Sequence, residues 1–300
     1  MSARYEIREL GLAEMLDTSF QLLRDRFWLL AGLAMIPYVP LSMVSGMLQG
    51  LAPALVVEPE QIEQWSLVAV AGIGLIVAIT LVVMPFVACA ITAALGRLYL
   101  GEQVDLGIAI RDGLRSYVPL VVTYFLFGLA FAFILGVTGL AAVPVIGVLT
   151  QSAEGGGSGV GAAVFVAGAL LFTLWLALAI GVGLVWLLLP QVVILEGLWL
   201  WPAITRAWNL LEGHRWRVLG ILICAWSITI IPVGGAQVFS LIQPLFGSFI
   251  SGVAQSIANA FIVATTVVLY FDIRCRDEAF DLEHLARLVA ARADGAEPTR

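Results

Sequence analysis

Long apolar runs alternate with short polar segments along the chain. They cover residues 27–49, 66–95, 117–150, 160–195, 217–240 and 246–271. Crossing the hydrocarbon core of a bilayer as a helix takes about 20 apolar residues. Each run is long enough, and none carries Asp, Glu or Lys. The pattern therefore predicts about six transmembrane helices in an all-α polytopic membrane protein. The third and fourth runs exceed the required length, which a tilt or an apolar cap outside the membrane accommodates. Only Gln243-Pro244 separates the last two runs.

Shorter amphipathic segments precede some of the runs. Leu12, Leu16, Phe20, Leu23 and Phe27 recur at helical spacing, with Glu14, Asp17, Arg24 and Asp25 largely off that stripe. A helix of this kind lies along the headgroup boundary with its apolar face down. The alternative is a cap packed on the ends of the bundle. FQLLRDRFWLLAGL at 20–33 aligns without gaps to WNLLEGHRWRVLGI at 208–221, matching Trp28 with Trp216 and Gly32 with Gly220. DLGIAIRDGLRSYVPL at 105–120 is a weaker copy. Each copy is followed by two apolar runs. The architecture expected is three repeats of one interfacial helix plus two spans, at about 10–95, 105–195 and 197–271. Together they form an integral membrane domain over 1–276, followed by an amphipathic tail at 277–300 with Leu282 and Leu285 on its stripe.

Composition sharpens this picture. Hydrophobic residues make up 61% of the chain and charged residues 12%, against roughly 45–50% and 25% in soluble domains. A water-soluble fold could not hide that much apolar surface. About 26 mixed residues precede the first run, a poor match to a cleavable leader, so that run is expected to act as an uncleaved anchor.

Charge orients the chain. All fifteen basic residues are arginines, and in the six-span topology every one falls on one side. Arg4, Arg8, Arg24 and Arg26 precede the first span; Arg97, Arg111 and Arg115 follow the second; Arg206, Arg215 and Arg217 follow the fourth. Arg274, Arg276, Arg287, Arg292 and Arg300 follow the last. The opposite loops hold Glu58, Glu60, Glu63 and Glu154. Because arginine is retained on the cytoplasmic side, both termini are expected in the cytoplasm, with the protein multi-pass in the cytoplasmic (inner) membrane.

Catalytic chemistry is hard to find. Ionisable groups inside a bundle tend to mark function, and the span centres contain none. His214 and His284 stand apart, and no HExxH or His/Cys cluster accompanies them. Cys89, Cys224 and Cys275 are far apart and read as free thiols. The segment QSAEGGGSGVG at 151–161 lacks the Lys-Ser/Thr of a phosphate loop and reads as a flexible linker. Ser248, Gly252, Gln255, Asn259 and Thr266 share one face of the last span. Such a face commonly holds helices together in lipid; the alternative is a polar lining at Gln255 and Asn259. Pro85 and Pro190 predict kinks near the arginine-bearing ends of their spans.

Two stretches, LPQVVILEGLWLWPAITRAWNLLEGHRWRVLG and VVLYFDIRCRDEAFDLEHLA, resemble the membrane-domain family named after glycerophosphoryl diester phosphodiesterase. The opening ELGLAEMLDTSFQLLRDRFWLLAGL fits the same pattern. The family often closes its last span with Tyr-x-Asp-Leu-Arg and then Phe-Asp-Leu-Glu, matched by Tyr270, Asp272, Ile273, Arg274 and Phe280 to Glu283. The resemblance implies a six-helix membrane domain, joined in some relatives to a soluble phosphodiesterase domain. That enzyme's metal-binding His-Glu signature is missing, so the family name implies no activity here.

The expectation is a non-enzymatic scaffold or partner subunit, without catalytic residues, metal or cofactor. Its partners would be membrane lipids and an envelope protein, not nucleic acid. Arg24, Arg26, Arg215 and Arg217 are the candidate headgroup contacts. The alternative is a transporter or flippase for a lipid or small solute, using Gln255 and Asn259.

Overall fold

A computed structural model describes residues 8–57, 62–155, 158–282 and 285–286. Helices account for the architecture, with no strand among the described residues. They are α1 (Leu12–Asp25), α2 (Phe27–Val57), α3 (Ile62–Ala78), α4 (Met84–Tyr99) and α5 (Leu106–Gly155). After them come α6 (Ser158–Gln191), α7 (Trp201–Leu211), α8 (Arg215–Ile242) and α9 (Pro244–Glu278). Among the described residues, five stretches are long and apolar enough to cross a membrane: Phe27–Leu48, Leu106–Phe133, Gly168–Glu196, Arg215–Phe239 and Pro244–Glu278. The chain is an all-α polytopic membrane protein. The run expected as the second span is helical from Ile62 to Tyr99, but a π-helical turn at Ile79–Val83 divides it into α3 and α4.

The π turns lie beside prolines. Pro85 follows the first, and Pro190 precedes the second, at Val192–Glu196. A proline removes one backbone donor and crowds the preceding turn. A wider turn over Ile79–Val83 absorbs this misfit ahead of Pro85, while the turn at Val192–Glu196 follows Pro190 and ends at Gly197, in the left-handed region at φ +70°. Pro244 acts differently: it sits at the first position of α9, where its missing N–H costs nothing. It separates α8 from α9 where the sequence predicts the break.

In the most apolar window of α9, 78% of residues are buried, against 11–39% in the other four candidate spans. This helix is the axis of the bundle, flanked by α2 and α8, with α1 and α4 also against it. Small residues set the α2–α9 seam. A Cβ on Gly252 would lie 2.9 Å from Val39 Cα and 2.2 Å from Ser42 Oγ; one on Gly46 would lie 1.9 Å from Ser248 Oγ. Helices in lipid gain little from hydrophobic association, so close backbone approach through small side chains holds them together. Gln255 and Asn259 lie two turns beyond Ser248 and Gly252, on the same row of the helix. Both are half-buried.

Two of the three expected amphipathic segments are separate helices. In α1, Met15, Ser19, Leu22 and Leu23 are buried against the bundle. Leu16 is half-buried and Phe20 is 58% exposed, so the apolar stripe is shared between the bundle and the outside. In α7, Ala203, Ala207, Leu210 and Leu211 are buried, while Trp201 and Trp208 are exposed. A turn at Glu212–His214 joins α7 to α8, with Gly213 at φ +85°, which glycine adopts without penalty. The second copy differs from its expected form. Residues 106–120 continue into the span as one helix, α5, which runs on through Gly113 and Pro119.

Of the segment 151–161, residues 151–155 end α5 and 158–161 begin α6, so it is more helical than a linker; Gly156 and Gly157 lie outside the described residues. In the tail, α9 stops at Ala279, in the left-handed region at φ +51°. Leu282 and Leu285 are exposed, and residues 283–284 and 287–300 lie outside the described residues.

The start of α1 carries a pH-sensitive contact. The Gly11 N–H donates to Glu14 Oε2 at 2.9 Å, and Arg8 lies 3.2 Å from Glu14 Oε1. The Gly11 bond and then Arg8 hold the Glu14 carboxyl below its ordinary pKa of 4.5. A depressed folded pKa means that this contact contributes fully above the ordinary carboxylate range and is lost as pH falls through the depressed value. A spin label at Ala13→Cys should therefore gain mobility as pH drops below 4.5. With Glu14→Ala, which removes the acceptor as well as the charge, it should be mobile at neutral pH and insensitive to acid. A label indifferent to both changes would refute this coupling.

Candidate functional site

The last turns of α9 carry polar residues on two faces. Asp272 and Arg276 are one helical turn apart, as are Tyr270 and Arg274, with Glu278 a turn further on. Each face builds its own network.

Asp272 is the centre of the first. Only 1% of it is exposed, yet both carboxylate oxygens are satisfied. Oδ1 accepts the Leu10 backbone N–H at 2.8 Å and Arg276 Nη2 at 3.3 Å. Oδ2 accepts Arg217 Nε and Arg276 Nε, each at 3.1 Å. The Leu10 carbonyl accepts Arg276 Nη2 at 3.1 Å and also a hydrogen bond from Arg217. Arg276 further pairs with Glu9 at 2.9 Å. One buried carboxylate thus ties together the chain entering α1, the start of α8 and the end of α9.

Glu196 organises the second network. It ends the π turn after α6 and accepts Arg206 Nε of α7 at 2.9 Å and the Tyr270 hydroxyl at 2.8 Å. Arg206 also bonds Glu278, which Arg274 Nε reaches at 2.7 Å. Burial works against the charge on Arg206, but its bonds to Glu196 and Glu278 outweigh that and raise its pKa. Arg274 lies over the Phe280 ring at 4.4 Å, and Phe280 leans on Phe271, itself stacked on Tyr99 at the end of α4. Arg97 of α4 pairs with Asp112 of α5 at 2.8 Å. The arginine-bearing ends of the helices therefore meet in one charged cap.

Leu200 completes the path from α6 to α7. It holds φ +58°, unfavourable for a branched residue, while its N–H donates to the buried Thr123 hydroxyl of α5 at 2.9 Å.

The four arginines expected at headgroups divide. Arg24 and Arg26, at the end of α1, are exposed. Arg215 is exposed and lies over the Trp208 ring at 4.8 Å. Arg217 is turned inward onto Asp272, because that buried carboxylate requires a cation beside it. It is a positioning residue of the cap rather than part of the exposed set. Exposed indoles neighbour both sets in the chain: Trp28, two residues after Arg26, is 83% exposed and Trp216, next to Arg215, is 85% exposed.

The sequence places Tyr270 and Asp272 only in a family-like motif, counts Arg206, Arg274 and Arg276 only toward the arginine-bearing side, and gives Glu196 no role. The available signal was carboxylates at helix ends facing arginines on other segments. Gln191 of α6 and Thr266 of α9 are hydrogen-bonded at 2.7 Å, so Thr266 serves packing. Among the described residues, no group of three or more His, Cys, Asp or Glu is arranged to hold a metal. Cys89, Cys224 and Cys275 are free thiols.

Fold and cap define the class: an integral membrane protein whose helices converge on a charged cluster at one end. Comparison with family models, curated proteins and solved structures finds no match.

Proposed function

We propose that the protein is a non-enzymatic scaffold, or partner subunit of an envelope protein, that holds anionic lipid at an arginine- and tryptophan-rich face in the cytoplasmic membrane. The observation that carries this is the exposure of three arginines, Arg24, Arg26 and Arg215, and three tryptophans, Trp28, Trp208 and Trp216, on or beside two short amphipathic helices. Indoles favour the membrane boundary and guanidinium groups favour phosphate there. The arginine bias supports a cytoplasmic position for this face and for both termini. The resemblance to the phosphodiesterase-associated membrane domains, carried by the Tyr270-to-Arg274 motif, supports a role beside another membrane protein.

Each basic residue near an anionic surface contributes about 1 kcal/mol. Arg24→Ala/Arg26→Ala/Arg215→Ala should therefore weaken retention of phosphatidylglycerol roughly a hundredfold. Native mass spectrometry of the purified protein reads this directly. Retention equal to the parent protein's would remove the proposal.

A further inference from the structure

Beneath α1, between α8 and α9, runs a groove of about 470 Å³. Its walls include Phe20 and Leu23 of α1, Pro232 of α8, and Val253, Ala254 and Phe261 of α9. The lining is apolar apart from the Thr229 hydroxyl, which donates to the Trp226 carbonyl at 2.9 Å. A water would find almost none of the polar partners it needs, and an ion or sugar would be stripped of solvent without compensation.

The groove's lining and length point to an occupant. Phe249 and Phe261, which mark its extent on α9, are separated by about 18 Å along a helix axis. An apolar slot of that length, running along a span, suits a hydrocarbon chain, which brings no polar group for the lining to leave unpaired. Charge stands beside its α1 wall. Arg24 lies one turn beyond Phe20 on α1 and next to Leu23, and Arg26 follows; both are exposed, with Asp25 between them. Phe261 is about 16 Å along α9 from Asp272, so the groove begins below the charged cap and extends into the span.

We infer that this groove holds one acyl chain of an anionic phospholipid whose phosphate is met by Arg24 and Arg26. The inference rests on the lipid-contact reading above and adds the binding site for the tail. Hydrocarbon against the groove walls restores dispersion contacts that an empty groove forfeits, and Phe20 closes over it from α1.

The test uses the full chain in nanodiscs containing phosphatidylglycerol with a photoreactive diazirine in one acyl chain. Adducts should concentrate on groove residues such as Val253 and Phe261, and Ala254→Phe should reduce them about tenfold. Val253→Phe is the second variant should the first fail to fold. Adducts spread evenly over other exposed apolar residues, such as Phe125 and Phe172, would overturn the inference. So would cross-links to protein rather than lipid from a photoreactive residue at Val253. If Arg24→Ala/Arg26→Ala removes lipid while groove adducts were never enriched, the lipid-contact reading survives and the groove site does not. If groove adducts persist in that variant but fall with Ala254→Phe, the tail site stands and the headgroup assignment fails.

Discussion

Asp272→Ala is expected to destabilise the protein by about 3–5 kcal/mol, the cost of removing one partner from a buried ion pair. The carboxylate is buried and faces two guanidinium groups and one backbone N–H. Without it, Arg217 and Arg276 repel each other in a partly buried site, and the Leu10 N–H loses its acceptor. Leu10 leads directly into α1, so detachment should begin there. Thermal unfolding in mild detergent reads the loss of stability, and limited proteolysis near residue 10 reads the detachment. Asp272→Asn should fall between parent and alanine variant, because an amide oxygen can still accept from Leu10 while the charge is gone. Parent-like melting and proteolysis of the alanine variant would mean that the cap does not hold α1.

Gly252→Leu is expected to cost about 3 kcal/mol, the upper end of the usual range for overpacking. The first added carbon already meets Val39 Cα at 2.9 Å and the Tyr38 carbonyl at 3.1 Å. Those are backbone atoms, which cannot swing aside as a flexible side chain would. The helices must separate, and the seam of the central helix with α2 opens. Gly220→Ala is the control, since nothing lies within 4 Å of a Cβ there. Thermal unfolding of the two variants should differ clearly; equal melting would show that the α2–α9 seam is looser than the structure has it.

The hydrophobic pattern made the helices legible. Runs of more than twenty apolar residues have one low-energy solution in lipid, a helix with its backbone satisfied internally. The break at Pro244 and the separateness of α1 and α7 follow from equally local signals. The repeat was less decisive, because sequence similarity at 105–120 says nothing of whether a turn interrupts the helix there. The π turns were also hidden. Proline predicts a misfit, but neighbouring packing selects how the backbone relieves it.

The charged cap shows the same division most clearly. Its arginines could be assigned to one end of the bundle from sequence, because translocating a guanidinium is costly wherever it sits in a loop. Whether each met a lipid or a carboxylate could not. Asp272 and Leu10 are 262 residues apart, Arg217 and Asp272 are 55 apart, and Glu196 and Tyr270 are 74 apart. Hydropathy and charge bias act on each residue through its immediate solvent, so they are written along the chain. Ion pairing depends on which helix ends are brought within about 3 Å of one another, and only the packed bundle determines that.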